Sequence, residues 1–134
     1  MAIRWYAIVI DSHDVAALAR WWSQALGWPI VYEAPDEVVI CPEIAVRQAA
    51  DPAGTPFADR SAGWVFVTVP EGKTVKNRVH VDLSPDRDAD LAAEVERLVA
   101  LGAHRVDIGQ GDEVPWVVLA DPEGNEFCVL TPRD

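Results

Sequence analysis

The sequence predicts an α+β protein built from two consecutive βαβββ modules, and three observations carry that prediction. Strand-like and helix-like stretches follow one another in the same order twice along the chain. Both helical stretches close on the same tripeptide, Ala25-Leu26-Gly27 and Ala100-Leu101-Gly102. At 134 residues, half of them apolar, the chain has the length of one domain with a real core. A repeat of this kind decides the architecture before any motif does. A single domain over residues 1–134 is expected, with module one over about 1–70 and module two over about 77–134.

The first element is the strand WYAIVI. In DSHDVAALARWWSQALG the residues Leu18, Trp21, Trp22, Ala25 and Leu26 recur at helical spacing, with Asp14 placed as the cap and Gly27 as the stop. Short strands are expected around PIVYEA, EVVICP and EIAVRQ, then a loop rich in Pro, Gly, Asp and Ala, then the apolar strand WVFVTV ending at Pro70. The second module opens with NRVHVDL and turns at Ser84-Pro85-Asp86. Its helix, DADLAAEVERLVALG, carries a stripe of Leu91, Val95, Leu98 and Val99 and ends at Gly102. HRVDIG, PWVVLA and EFCVLTP read as three strands, the last two joined by the turn from Asp121 to Asn125.

Composition narrows the partners. The net charge of −11 argues against a nucleic-acid backbone, because binding phosphates needs a basic footprint. A neutral or cationic small molecule fits better. No run reaches the roughly 18 to 20 apolar residues of a membrane span, and the amino terminus lacks the marks of a secretory signal, so a soluble, cytoplasmic protein is expected. Cys41 and Cys128 lie in short apolar runs without the spacing of a zinc or redox motif, which reads as buried thiols in a reducing compartment.

One strand carries an unusual polar row. In NRVHVDL, residues Arg78, His80 and Asp82 alternate with Val79, Val81 and Leu83, so the polar side chains share one face. A solvent-washed sheet face and a polar cavity wall both fit that pattern.

IVIDSHDVAALARWWSQALGW in the first module, VPEGKTVKNRVHVDL at the join, and LGAHRV followed by ADPEGNEFCVL in the second together resemble the vicinal oxygen chelate superfamily. That superfamily includes glyoxalase I, bleomycin resistance proteins and extradiol dioxygenases. The resemblance covers nearly the whole chain and is greatest to the small glyoxalase-like domain subgroup. It implies two modules whose sheets form a curled mixed sheet around a shared cavity, often within a homodimer. In metal-dependent members four ligands enter the cavity, one from the first and one from the last strand of each module. His80 stands at the superfamily's histidine position, but its counterpart in module one is Ala7. Cys128 occupies the place of the usual glutamate, and Phe66 or Val67 the fourth place. Only His80 matches, so the resemblance implies that the metal quartet is lost and no cofactor is expected.

By the same resemblance Arg78, His80 and Asp82 form one cavity wall, Trp5, Ala7 and Val9 a neighbouring one, and Glu126, Cys128 and Leu130 a third. Trp5, Trp64 and Trp116, in strands, are candidates for stacking on a flat ligand, whereas Trp21 and Trp22 read as packing and Trp28 as a plug at the module's end. The expected ligand-binding set is Trp5, Ala7, Arg78, His80, Asp82, Trp116, Glu126 and Cys128. Two functions follow. One is a metal-free protein that binds a small molecule, as the drug-resistance branch does. The other is a lyase, isomerase or dioxygenase that uses His80 as acid–base or a divalent metal on unorthodox ligands. A His80, Cys128 and Glu126 set is conceivable there, although positions two apart on a strand lie about 6.6 Å apart and converge only with a bend.

Overall fold

Local signals account for most of the elements in the computed structural model, which describes residues 3–133; the expected module ends at residues 1 and 134 lie outside the described residues. The chain forms two compact units, one running to Gly72 and the other starting at Lys73. The first unit contains β1 (Ala7–Ser12), α1 (Val15–Leu26), β2 (Ile30–Ala34), β3 (Glu37–Ile40), α2 (Glu43–Ala50) and β4 (Gly63–Thr68). Its sheet has the order β1-β4-β3-β2, with β1 parallel to β4 and the remaining neighbours antiparallel.

Helix α1 starts where Asp14 accepts a hydrogen bond from the Ala17 amide at 3.1 Å, and it ends at Gly27, whose φ of 67° is left-handed. Its buried face, Leu18, Ala19, Trp21, Trp22 and Ala25, packs against β2, β3 and β4. The sheet offers Val38, Ile40, Trp64 and Phe66 in return, all buried. Register puts these four on one face, since Ile40 pairs with Trp64 and Val38 with Phe66. Trp22 meets Trp64 edge-on at 4.8 Å, and Trp28 reaches the same ring at 5.8 Å. Trp64 is therefore core, not a stacking surface for ligand. Burial of each such side chain stabilises the fold by roughly 1.5–3 kcal/mol.

The second unit contains β5 (Asp82–Leu83), α3 (Leu91–Leu101), β6 (His104–Arg105), β7 (Val117–Ala120) and β8 (Glu126–Val129). Its sheet order, β5-β8-β7-β6, repeats that of the first unit strand for strand, including the parallel pairing of the first and last strands. Two α+β modules of the same βαβββ connectivity are thus present, with α2 inserted only in the first. Helix α3 is capped by Asp90, which accepts from the Ala92 amide at 2.9 Å, and it buries Val95 and Leu98. The β7–β8 turn is organised by the fully buried Asp121. Its carboxylate accepts from the amides of Glu123 at 2.9 Å and Asn125 at 3.0 Å, while Gly124 takes φ 89°.

Four expectations are corrected. EIAVRQ is not a strand but part of α2: Pro42 precedes it, Glu43 and Arg47 pair at 3.7 Å one turn apart, and Ile44 and Val46 face solvent. The strand expected over NRVHVDL is reduced to Asp82–Leu83. Here Asn77 intervenes, because its side chain accepts from the Glu126 amide at 3.0 Å and donates to the Glu126 carbonyl at 3.4 Å. One side-chain amide thereby satisfies the edge of β8 that a strand would have paired, and Arg78 and Val79 are left in solvent, Val79 at 84 % exposure. HRVDIG pairs only through His104 and Arg105, since Gly109 at φ 90° and Gly111 at φ 73° turn the chain into a loop. WYAIVI pairs from Ala7 onward, which leaves Trp5 and Tyr6 outside β1. Among the described residues no helix is long and apolar enough to cross a membrane.

Candidate functional site

Each sheet has a second face, which lines a cavity. In the second unit the register pairs Asp82 with Cys128 and Val118 with Cys128, so these three side chains share a face. His80, Trp116 and Leu130, each just outside a strand end, join Asp82 and Cys128 on one wall. These residues, except Val118, line a cavity of about 510 Å³, closed further by Ile108, Gly109, Gln110 and Arg133. The volume lies within the range of small-molecule sites.

Three chemically active side chains meet on this wall. His80 Nε2 stands 3.3 Å from Asp82 Oδ1, with both side chains about half exposed. Donor atoms of His80, Asp82 and Cys128 all lie within 4.8 Å of one another. Cys128 is buried and free of any disulfide. Burial pushes its thiol above the ordinary range, the neighbouring Asp82 carboxylate pushes it the same way, and Lys76 opposes. A thiol pushed up in this way is not an activated nucleophile. Cys41, in the first unit, is also free, and burial pushes its thiol up too.

The loop from Ile108 to Gln110 holds its shape through its own side chains. Gln110 accepts from the Ile108 amide at 2.8 Å and donates to the Val106 carbonyl at 3.2 Å, and Asp107 accepts from the Gly109 amide at 2.7 Å. Sequence reasoning missed this loop as a cavity wall. The signal was present, since Gly109-Gln110-Gly111 has the chemistry of a turn. Arg133 was missed without any such signal. It lies beyond β8 and is held by a bridge to Asp86 and by its amide donating to the Pro85 carbonyl at 3.3 Å.

In the first unit the corresponding sheet face is apolar except for Glu37. Ala7 pairs with Gly63, Val9 with Val65, Val39 with Val65, and Glu37 with Val67. That face lines a cavity of about 520 Å³ together with Trp5, Tyr6, Phe57 and Arg60. The Tyr6 and Phe57 rings stack at 6.0 Å, and the Arg4 guanidinium lies 4.2 Å over Phe57. Of the two residues considered for the fourth superfamily position, Val67 is on this cavity face and Phe66 is in the core.

The expected site residues are thus distributed unequally. His80, Asp82, Trp116 and Cys128 come together in the second unit, and Trp5 and Ala7 line the cavity of the first. Arg78 and Glu126 are not among the residues lining either cavity. Glu126 is instead held by Lys73 Nζ at 3.0 Å and by the Asn77 amide at 3.2 Å. Among the described residues the donors that come together are His80, Asp82 and Cys128, with Asp82 in place of Glu126. The four-ligand metal centre of the superfamily does not fit these residues. Ala7 and Val67 have no donor atoms in their side chains, and of the four positions only His80 holds the expected ligand.

Residues 7–130 match the family model described as a glyoxalase-like domain. The curated proteins contain no match to the chain. Among solved structures, the chain resembles a glyoxalase/bleomycin resistance protein/dioxygenase family enzyme from Burkholderia phytofirmans PsJN, with a TM-score of 0.69 and 14 % identity over 98 % of this chain and 100 % of that one. It also resembles a variant of the fosfomycin resistance protein FosX from Listeria monocytogenes, complexed with Mn(II) and a dihydroxypropylphosphonic acid. That likeness has a TM-score of 0.68 and 12 % identity over 99 % of this chain and 93 % of that one. The oxidase ChaP-H2 follows with a TM-score of 0.62 and 14 % identity over 99 % and 96 % of the two chains. At these identities the likeness is one of fold.

Proposed function

We propose, on the premise that the chain belongs to the glyoxalase-like domain family of the vicinal oxygen chelate superfamily, that it binds a small molecule in the second unit's cavity without the superfamily's metal quartet. The observation that carries this reading is the His80–Asp82 pair, 3.3 Å apart, on the wall of a cavity otherwise lined largely by Trp116, Ile108, Leu130 and Cys128. An apolar chamber with a few convergent polar groups is the usual form of a small-molecule site. Trp116, 37 % exposed, offers a ring face to a flat ligand. His80, Asp82 and Arg133 offer hydrogen bonds and charge to a polar end. The chain's charge of −11 favours a neutral or cationic compound over a polyanion. Cellular placement in a reducing compartment is part of the same reading, supported by two free thiols. Assembly as a homodimer is proposed too, supported by the apolar sheet face of the first unit, where Val9 is 59 % exposed.

The test is a fluorescence titration with planar aromatic compounds in neutral and cationic forms. Saturable quenching is expected in the native protein, with its amplitude lost in Trp116→Phe and its affinity lowered about tenfold, or ~1.4 kcal/mol, in His80→Ala. Both variants should keep the native circular dichroism. If His80→Ala instead destabilises the fold by several kcal/mol and alters no affinity, the histidine is structural and the reading fails.

A second reading, an enzyme with His80 as acid–base, is favoured by the same pair, because a carboxylate beside an imidazole orients it for proton transfer. Recovery of the bound compound chemically unchanged would support the binding protein; conversion that depends on His80 would support the enzyme.

A further inference from the structure

We propose that His80, Asp82 and Cys128 form a three-donor site for one divalent ion of borderline softness, zinc being the ion whose chemistry suits the set. All three donors come from the second unit: His80 and Cys128 stand at two of the four superfamily positions, and Asp82, which stands at none of them, completes a set that needs nothing from Ala7 or Val67. It does not rest on the small-molecule reading, because the metal alone is the probe and either idea can fail without the other.

The geometry carries the argument. Parallel pairing of Asp82 with Cys128 sets a carboxylate and a thiol side by side on adjacent strands, and His80, two residues before Asp82, shares their face. Bonds of about 2.0–2.3 Å to a tetrahedral ion place ligand atoms roughly 3.3–3.8 Å apart. His80 Nε2 and Asp82 Oδ1 already stand at 3.3 Å. The remaining separations, all within 4.8 Å, close by side-chain rotation of the half-exposed His80 and Asp82. One imidazole, one thiolate and one carboxylate form the mixed nitrogen, sulfur and oxygen set that suits zinc, whereas magnesium and calcium require oxygen ligands.

Charge points the same way. Cys128 and Asp82 face each other across paired strands, and a dication that displaces the thiol hydrogen to solvent as a proton is met by thiolate and carboxylate together. Arg133 lines the same cavity and Lys76 acts on Cys128, so two positive groups oppose the ion. The two anionic donors it gains offset them. Three protein donors would leave a fourth tetrahedral position to water or to a ligand atom, and Trp116 lines the same cavity.

Cobalt(II) titrated into untagged, chelator-stripped protein tests this, because a thiolate ligand produces a charge-transfer band in the near ultraviolet and tetrahedral coordination produces intense visible bands. The expected result is one equivalent bound with both signatures. The charge-transfer band should be lost in Cys128→Ser and in Cys128→Ala. Affinity should fall by about tenfold or more in His80→Ala and in Asp82→Asn. Zinc should raise the melting temperature of the native protein and of Cys41→Ser, but not that of His80→Ala. Absence of the charge-transfer band in the native protein would overturn the site. So would unchanged affinity in both His80→Ala and Asp82→Asn, or a spectrum lost in Glu126→Gln and kept in Asp82→Asn.

Discussion

Glu126, outside the cavity, ties the segment before β5 to β8 through Lys73 and Asn77. Burial disfavours its charge, yet the Lys73 ammonium, the Asn77 amide and its own backbone amide outweigh that, and its carboxyl lies below the ordinary glutamate range. A lowered folded value means the stabilisation is complete above the unfolded value, about 4.3, and is lost as pH falls through the folded one. Glu126→Gln should therefore cost ~1–2 kcal/mol at neutral pH, and the difference from the native protein should vanish in acid. Urea midpoints measured across that range check it; a difference that persists unchanged in strong acid would rule out the ionic origin. The same residue shows what was legible at this scale. Alternation placed His80, Asp82 and Cys128 on faces that do meet, because side-chain direction along a strand is a local property. It also placed Glu126 on the face of Cys128, but Lys73 and Asn77 hold its carboxylate, and no spacing rule reveals that competition.

At the scale of elements, the parts that were legible are those with a cap or a stop. Asp14 and Gly27 bracket α1, and Asp90 and Gly102 bracket α3, each through contacts within a few residues. Asp14→Ala should lower stability by about 1 kcal/mol, seen as a lower denaturant midpoint at unchanged slope. A midpoint that does not move would show that the Ala17 amide finds another acceptor. EIAVRQ alternates as a strand would, yet it lies in helix α2. Its apolar Ile44 and Val46 face solvent, while Ala45 and Ala49, four apart, line the first cavity. Small residues carry too little hydrophobic signal to announce that face. NRVHVDL failed for a different reason: the alternation was real, but Asn77 takes over the hydrogen bonds that would have extended β5.

For the whole molecule, the proposed homodimer predicts a sedimentation coefficient of a dimer at micromolar concentration, with the apolar face around Val9 covered in it. Val9→Asp, a charge placed on an exposed position of that face, should shift the equilibrium to monomer while leaving the fold intact. Monomer alone at high concentration in the native protein would refute the proposal. The repeated strand–helix–strands order, the caps and the β7–β8 turn were determined by the sequence itself, because stripes, caps and turns act between residues a few positions apart. The tertiary structure alone decided which polar groups meet. Asp82 reaches Cys128 through the register of two strands distant in the chain, and Glu126 is drawn from the cavity by partners likewise far away in sequence. Register and ion pairing are set by the packing of whole sheets and by competition among buried polar groups, and neither leaves a periodic trace in the residues that take part.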